Sequence, residues 1–333
     1  MARSSDSFAL IRFESSDQRT ETTINLTTNE TTKKPNALAN ALSRKSLAAG
    51  ARRSLKFSRR YPAGAFAIII LIVMIFFVVS AGALTPFEPH RSIAPKVVAP
   101  LNTGFDGDMM WLGSDELGRD IFTRLQHGGR TSLVIGLLAP LVGTAIGALL
   151  GIASAYRGGT VDLLTQRLVD VMIALPGIVL AMAIVLALGF SLWAVIMALA
   201  VTSVGGTARV VRSHALAQSQ MEYVDAARAL GASDWRIVLR HLLPNSMAVT
   251  LVLFTVGVGG AIVAEAGLSF IGLGVQPPTP SWGNMLTFAQ NSFRFGPHIA
   301  IIPGLTISIV VLAINLLGDA LRDALDPHLR GRG

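Results

Sequence analysis

The sequence predicts an all-α integral membrane protein with six transmembrane helices and a disordered N-terminal extension. Of its 333 residues, 51% are hydrophobic and 14% are charged. An average soluble domain carries roughly 25% charged residues. Several apolar runs also reach about 20 residues, the length at which a helix crosses a bilayer. A large soluble protein with buried helices is excluded by these runs.

The first 60 residues are polar and then basic, without an apolar period. The stretch 15–35 is rich in Ser, Thr and Asn, a composition typical of disorder. From Arg44 to Arg60 there are seven basic residues and no acid. This basic segment is either a patch for a lipid surface or a nucleic acid, or the topogenic flank of the first helix. The flank is the simpler interpretation.

Six apolar spans follow the extension. They are predicted at residues 63–84, 132–155, 168–190, 192–211, 247–270 and 299–320. The first is too long, and starts too far from the N-terminus, to be a cleaved signal. Arginines concentrate in the loops that alternate to the side of the N-terminus, so we expect both termini in the cytoplasm. The predicted domains are an extension (1–60), a first span with an outer loop (61–131), a core (132–325) and a short tail (326–333).

Small residues and a proline predict how the spans pack. Gly143, Gly147 and Gly151 recur every four residues, so they share one helix face and let another helix approach closely. Pro176 interrupts the third span and predicts a kink there. These features indicate a tightly packed bundle but do not by themselves indicate transport.

A patterned insert at about residues 221–245 separates spans four and five. It contains two apolar stripes at helical spacing: Val224, Ala227 and Leu230, and then Trp235, Val238, Leu239 and Leu242. Gly231 is placed to end the first short helix in a left-handed conformation, and Ser233 to cap the second. Pro244 is expected to close the insert. It either lies on the lipid headgroups as an amphipathic helix or docks a cytoplasmic partner.

The insert resembles the cytoplasmic signature of ABC-importer permease subunits, an acid-Ala-Ala followed by a glycine and an apolar-Pro pair. Its counterparts here are Asp225-Ala226-Ala227, Gly231 and Leu243-Pro244. Asp stands where that family more often has Glu. The segments Trp111–Leu133 and Ala264–Leu286 also resemble dipeptide and oligopeptide permeases of the C type. The first sixty residues have no counterpart.

The resemblance implies a type I ABC importer permease fold in the bacterial cytoplasmic (inner) membrane. It implies ATP-driven import of di- or oligopeptides by alternating access. The expected partners are a homologous B-type permease, two ABC ATPase subunits, an extracytoplasmic substrate-binding protein and membrane lipid, with no nucleic acid. The residues expected to dock the ATPase as coupling helices are Asp225, Ala226, Ala227, Gly231, Ala232, Ser233, Trp235, Leu243 and Pro244. Similar permeases carry nickel or other small solutes, so the substrate stays open.

The chain is predicted not to be an enzyme and to hold no cofactor or metal. It has no cysteine and no Gly-x-x-x-x-Gly-Lys-Ser/Thr loop for ATP phosphates. It also lacks a His-Glu-x-x-His metal motif and a Gly-x-Ser-x-Gly nucleophile elbow. ATP is therefore expected to bind another subunit.

Glu265 is the most informative charge within the spans, near the outer end of the fifth. A carboxylate facing lipid there is costly. In a functional role, Glu265 lines a translocation path or holds the outer loop in place. In a structural role, its side chain extends outward to the headgroups or caps the turn at Ser269. Together with Ser269 and Phe270 it forms a candidate path or outer gate. Trp282, farther along, is expected at the membrane interface.

Two alternatives to an ATP-driven permease are considered, an ion-coupled secondary transporter and a membrane scaffold. The positions of Asp170 and Asp319 weigh against the first. An ion-coupled secondary transporter needs ion ligands within the membrane. Asp170 and Asp319 lie only near the inner ends of their spans. A membrane scaffold without transport is the second alternative.

A charged cluster at residues 115–120 precedes the second span. Arg119 is predicted to pair with Asp115 or Glu116 on a helix. We interpret the cluster as structural, or as part of the surface that receives a binding protein.

Overall fold

The computed structural model describes residues 60–85, 87–290 and 292–325, which are mostly helical. The helices are α1 Pro62–Val79, α2 Ile121–Arg157, α3 Gly159–Ala174, α4 Gly177–Leu188, α5 Leu192–Ser219, α6 Glu222–Ala229, α7 Asp234–Ile237, α8 Leu243–Phe270, α9 Trp282–Ala289 and α10 His298–Leu325. A π-helical turn, Val238–Leu242, joins α7 to α8. A short antiparallel ribbon pairs β1 Asn102–Thr103 with β2 Met109–Met110. The predicted extension, apart from Arg60, and the predicted tail lie outside the described residues.

Within the described ranges, 5 helical segments are long and apolar enough to cross a membrane, or 6 if the bent pair α3–α4 is one span. The prediction of six spans agrees with this count. Most of the helices extend beyond the apolar runs that revealed them. For example, α2 begins at Ile121 rather than 132, because the Asp120 carboxylate accepts the Thr123 N–H at 2.8 Å and caps the helix there.

The third span is broken rather than kinked. The axes of α3 and α4 differ by 94°. Leu175 adopts an extended conformation (φ −86°, ψ 134°), as a residue before proline prefers. Pro176 then precedes α4 and supplies no N–H to continue α3. The interruption predicted at Pro176 is confirmed, but it is a break between two helices and not a kink within one.

Helices α2 and α5 pack backbone to backbone along the predicted glycine face. A Cβ on Gly143 would lie 2.3 Å from the Ala200 carbonyl oxygen. A Cβ on Gly151 would lie 2.5 Å from that of Ala208, and Gly147 is similarly crowded. Any larger residue would push the helices apart, so the prediction of close approach is confirmed.

The two ends of the bundle carry different structures. The insert end is the end that carries residues 220–242, between α5 and α8. The loop end is the opposite end, with residues 80–120 and 271–297. A large apolar core, centred on Trp282 and formed by α1, α2, α8, α9 and α10, lies toward the loop end. A smaller core around Leu242 lies toward the insert end.

Candidate functional site

The insert bends sharply at Gly231, as predicted. Its φ is +78°, a left-handed conformation that glycine adopts without strain. The Gly231 N–H donates to the Arg228 carbonyl at 2.9 Å, and the Ala232 N–H donates to the Ala227 carbonyl at 3.0 Å. These two bonds form a Schellman motif, which satisfies the last carbonyls of α6. The bend is therefore fixed by local hydrogen bonds.

The second short helix begins after Ser233 but is not capped as predicted. Ser233 occupies the N-cap position with extended backbone, yet its hydroxyl makes no capping bond. The Asp234 carboxylate instead accepts the Tyr156 hydroxyl at 2.7 Å, which ties α7 to the end of α2. Pro244 does not end the insert, because it lies in the first turn of α8, where proline is tolerated.

The first predicted apolar stripe does not form a single buried face. Val224 is fully buried, whereas Leu230 is 88% exposed. Leu230 is the C-cap of α6, where the chain turns away from the bundle. Its apolar side chain is thus free for contact with another molecule.

The second predicted stripe is divided by the π-helical turn. Trp235, Val238 and Leu239 line one apolar cleft against the end of α2. Trp235 nevertheless remains 70% exposed. Leu242 is fully buried in the small core, against which Val238 also packs, and Ile237 five residues earlier is fully buried too. The wider turn brings residues five apart onto one side, a shift that simple helical spacing does not anticipate.

The remaining residues predicted to dock a partner lie on the same short segment. Asp225 pairs with Arg228 at 2.9 Å, and both side chains are substantially exposed. Ala226 is exposed and Ala227 is partly buried. Leu243 packs against the small core at the insert end. The predicted set therefore lies along one stretch of chain from α6 to the first turn of α8, and its polar members Asp225 and Ser233 are exposed.

At the loop end, Glu265 is fully buried inside the bundle. The Ser132 hydroxyl donates to one carboxylate oxygen at 3.1 Å, and the Ser269 hydroxyl donates to the other at 2.8 Å. The Trp282 backbone N–H donates to the Ser132 hydroxyl at 3.0 Å. The carboxylate thus links α2 and α8 to the start of α9, while Phe270 is 45% exposed.

Trp282, which was expected at the membrane interface, is enclosed by the protein. Its side chain is fully buried, and its indole N–H donates to the Leu125 carbonyl at 2.9 Å. Gly128 and Gly129 on α2 make room for it, since a Cβ on Gly129 would lie 2.9 Å from the indole ring. Tryptophan is buried where its N–H finds an acceptor, and α2 supplies one.

The charged cluster at residues 115–120 forms a turn rather than a helix. Asp115 accepts the Leu117 and Arg119 N–H groups through one oxygen. Its other oxygen pairs with the Arg119 Nε at 2.7 Å and lies 3.4 Å from the Arg124 Nε. The predicted Asp115–Arg119 pair is therefore present. Burial raises the pKa of the neighbouring Asp120 carboxyl, an effect that hydrogen bonds from Thr123 oppose.

Arg124 was missed by sequence reasoning. Its side chain is 2% exposed. It donates to the Pro89 carbonyl at 3.0 Å and to the Asn284 side chain at 3.4 Å. It thereby fastens the outer loop and α9 to α2. Nothing near it in the sequence indicates partners so distant along the chain.

The part of the chain that the structure describes contains no group of 3 or more His, Asp or Glu side chains arranged to hold a metal ion. The features that stand out are the projecting insert and the buried network. Together with the apolar spans they define a multi-span membrane protein with exposed apolar side chains on its insert.

The chain belongs to a family described as the binding-protein-dependent transport system inner membrane component, whose model matches residues 143–331. It is thus a multi-pass permease subunit of an ABC importer. Permeases of this kind work with ATPase and substrate-binding partners. The resemblance to peptide-transporter permeases is confirmed by the relatives described next.

Two relatives cover most of the chain. It is 43% identical over 279 residues to the glutathione transport system permease protein GsiD of Pectobacterium atrosepticum, and the aligned region covers 84% of this chain and 90% of that protein. It is 44% identical over 269 residues to GsiD of Escherichia coli O157:H7, and the aligned region covers 81% of this chain and 86% of that protein.

A solved structure shows the same fold. The chain is similar to a chain of the MetNI methionine ABC transporter in an inward-facing conformation, with a TM-score of 0.51 and 20% sequence identity. The match covers 61% of this chain and 96% of that one. At this identity the likeness concerns the fold alone.

Proposed function

We propose that the chain is a permease subunit for ATP-driven import of short peptides, glutathione among them. The observation that carries the proposal is the insert, whose exposed Leu230 and Trp235 flank a bend fixed at Gly231. Contiguous exposed apolar patches mark interaction sites, and in this proposal Leu230 and Trp235 belong to one such patch. An ATPase subunit with an apolar groove is the partner that this insert fits.

The proposed docking surface consists of Asp225, Ala226, Ala227, Gly231, Ala232, Ser233, Trp235, Leu243 and Pro244. Both termini and the insert end lie in the cytoplasm in this proposal. A homologous B-type permease completes the pathway, two ABC ATPase subunits bind at the insert end, and a substrate-binding protein docks at the loop end.

The connection between the insert and the spans suggests how force is transmitted. The insert is continuous with α8 through the π-helical turn and is tied to α2 by the Tyr156–Asp234 hydrogen bond. When ATP closes the ATPase pair, the insert moves with its subunit and carries α5 and α8. ATP shifts the equilibrium only because it binds the outward-facing assembly better than the inward-facing one.

The proposed outer gate assigns a different role to each of Glu265, Ser269 and Phe270. Glu265 is enclosed within its own subunit, so it holds α9 against α8 and does not itself line the path. Ser269 supports that carboxylate, and the half-exposed Phe270 faces outward from the same turn. In this arrangement α9 moves with α8 when the gate opens.

The peptide substrate is proposed from the relatives, which are glutathione permeases by name. Glutathione is a tripeptide, within the size range of di- and oligopeptide importers. Uptake of labelled glutathione and labelled dipeptides is to be measured in cells with and without this subunit. Loss of uptake on deletion is expected, and unchanged uptake of both would reject the peptide proposal.

Gly231→Glu tests the docking. The substitution strains the left-handed bend and places a charge at the contact, so we expect uptake to fall by at least about tenfold, the effect of ~1.4 kcal/mol. ATP hydrolysis should then no longer respond to substrate. Gly159→Glu is the matched control, because Gly159 also has a positive φ, lies at the insert end and has open space around it. Equal behaviour of the two variants would refute docking at Gly231.

A further inference from the structure

A second cavity opens at the insert end, separate from the docking residues. It lies between the ends of α5 and α10 and the start of α8, with a volume of about 580 Å³. We call it the α5–α8–α10 cleft. Small-molecule sites typically measure roughly 300–1,000 Å³. The cleft is therefore large enough for a ligand of a few residues.

One wall of the cleft is polar and offers unused hydrogen-bond donors. It is formed by His214, Gln218, Asn245 and Arg322. The Gln218 carbonyl oxygen accepts the Tyr223 hydroxyl at 2.7 Å, but its amide N–H₂ has no partner among the described residues. Arg322 likewise forms no ion pair with any residue of the described ranges. Cationic and amide donors in one wall favour a ligand with oxygen acceptors.

The geometry of this wall is set by contacts within it. The His214 Nε2 lies 3.2 Å from the Asn245 backbone oxygen, which joins α5 to α8. The Asn245 amide donates to the His241 carbonyl at 2.8 Å and lies 3.3 Å from the Tyr223 hydroxyl. The amide nitrogen of Asn245 is thereby occupied, and its side-chain oxygen is free to accept. The wall thus presents both a donor set and an acceptor.

The rest of the lining is apolar, and all three helices contribute to both the polar and the apolar parts. The apolar part consists of Val210, Ala248, Val249, Val252, Leu253 and Leu325. The acids nearest in sequence to Arg322, Asp319 and Asp323, are exposed and do not line the cleft. A ligand in the cleft therefore meets one cation, amide groups and an aliphatic surface.

We propose that the α5–α8–α10 cleft binds a short peptide, with its carboxylate at Arg322 and a peptide group at Gln218 and Asn245. The inference rests on the proposed function and adds a site at the end where substrate is delivered. The amides argue for a peptide rather than a lipid chain. A cleft suited to an acyl chain would be lined by aliphatic and aromatic groups alone, as is the smaller cleft of about 260 Å³ beside Trp235.

The test is equilibrium binding of labelled glutathione to the purified transporter complex without its binding protein, in phosphatidylcholine nanodiscs. Arg322→Gln should weaken binding by about tenfold or more, as expected for loss of a charge-assisted hydrogen bond. Arg157→Gln is the control, since Arg157 is an exposed cation at the same end outside the cleft. Retained subunit assembly and ATPase activity in both variants show that the complex is intact. Equal affinity in the two variants, or no binding to the unmodified complex, overturns the proposal.

A second arm separates peptide from lipid. Nanodiscs that contain phosphatidylglycerol should leave glutathione affinity unchanged if the cleft takes peptide. Glutathione affinity that Arg322→Gln leaves unchanged, together with phosphatidylglycerol that co-purifies with the unmodified complex and is lost in Arg322→Gln, would assign the cleft to a lipid headgroup and reject the peptide. Cellular uptake is the independent readout: uptake without binding in the cleft rejects only this inference, whereas absent uptake rejects the proposed function.

Discussion

A buried tryptophan at one end of the bundle contrasts with an exposed tryptophan at the other. Trp282, at the loop end, is fully buried and donates its indole N–H to a backbone carbonyl of α2. Trp235, at the insert end, is 70% exposed. The subunit's own core thus encloses Trp282, whereas the described residues leave most of Trp235 uncovered. Other apolar side chains are exposed at both ends, such as Trp111 and Phe295 at the loop end and Leu230 at the insert end. We infer that Trp282 maintains the fold and that Trp235 serves assembly.

Replacing each tryptophan by alanine gives the largest expected contrast. Trp282→Ala empties a packed site and leaves the Leu125 carbonyl without its donor, and such truncations cost about 3–5 kcal/mol in protein cores. We expect a large fall in the melting temperature of the isolated subunit. Trp235→Ala should leave that temperature nearly unchanged and weaken co-purification with the ATPase subunit. A stable Trp282→Ala subunit, or an unstable Trp235→Ala subunit, would contradict the comparison.

Two acidic residues, Glu265 and Asp225, give a second contrast, in which the expected loss of stability is of intermediate size. Glu265→Ala removes the acceptor for the Ser132 and Ser269 hydroxyls in a buried site, at a cost of about 1–3 kcal/mol. Asp225→Ala removes only an exposed pair with Arg228, which contributes about 0–1 kcal/mol. Thermal unfolding in detergent should distinguish the two variants. Glu265→Gln keeps one acceptor oxygen and should recover part of the loss; no recovery would argue against the hydrogen-bonded role.

Helix caps give the smallest contrast. The Asp120 carboxylate accepts both the N–H and the hydroxyl of Thr123, so Asp120→Ala should cost about 1 kcal/mol. Ser233 holds the equivalent position before α7 without a capping bond, so Ser233→Ala should leave stability unchanged. Melting temperatures of the two variants, measured side by side, check the difference. Equal losses would mean that the Ser233 hydroxyl caps α7 after all.

Several features followed from patterns within a short stretch of sequence. The six spans, an interruption at Pro176, the close packing of Gly143, Gly147 and Gly151, and the bend at Gly231 were all predicted. Each depends on residues within a few turns of one another, so hydrophobic run length, glycine spacing and proline stereochemistry are sufficient. The predicted docking set was placed by resemblance, and its contact with an ATPase stays a prediction.

Other features depended on contacts between distant residues. Ser132 and Glu265 are 133 positions apart, and Arg124 meets Asn284 across 160. No local pattern pairs them, because their proximity follows from how α2, α8 and α9 pack.

The sequence by itself determined that this chain crosses a membrane repeatedly and carries an ordered insert between two spans. Burial of a run of apolar residues and the conformations open to glycine and proline are properties of the local chain. Only the tertiary structure decided which polar side chains are enclosed and which face outward. The carboxylate of Glu265 is buried because serines from two helices satisfy it, and Trp235 is exposed because no residue of the described ranges packs over it.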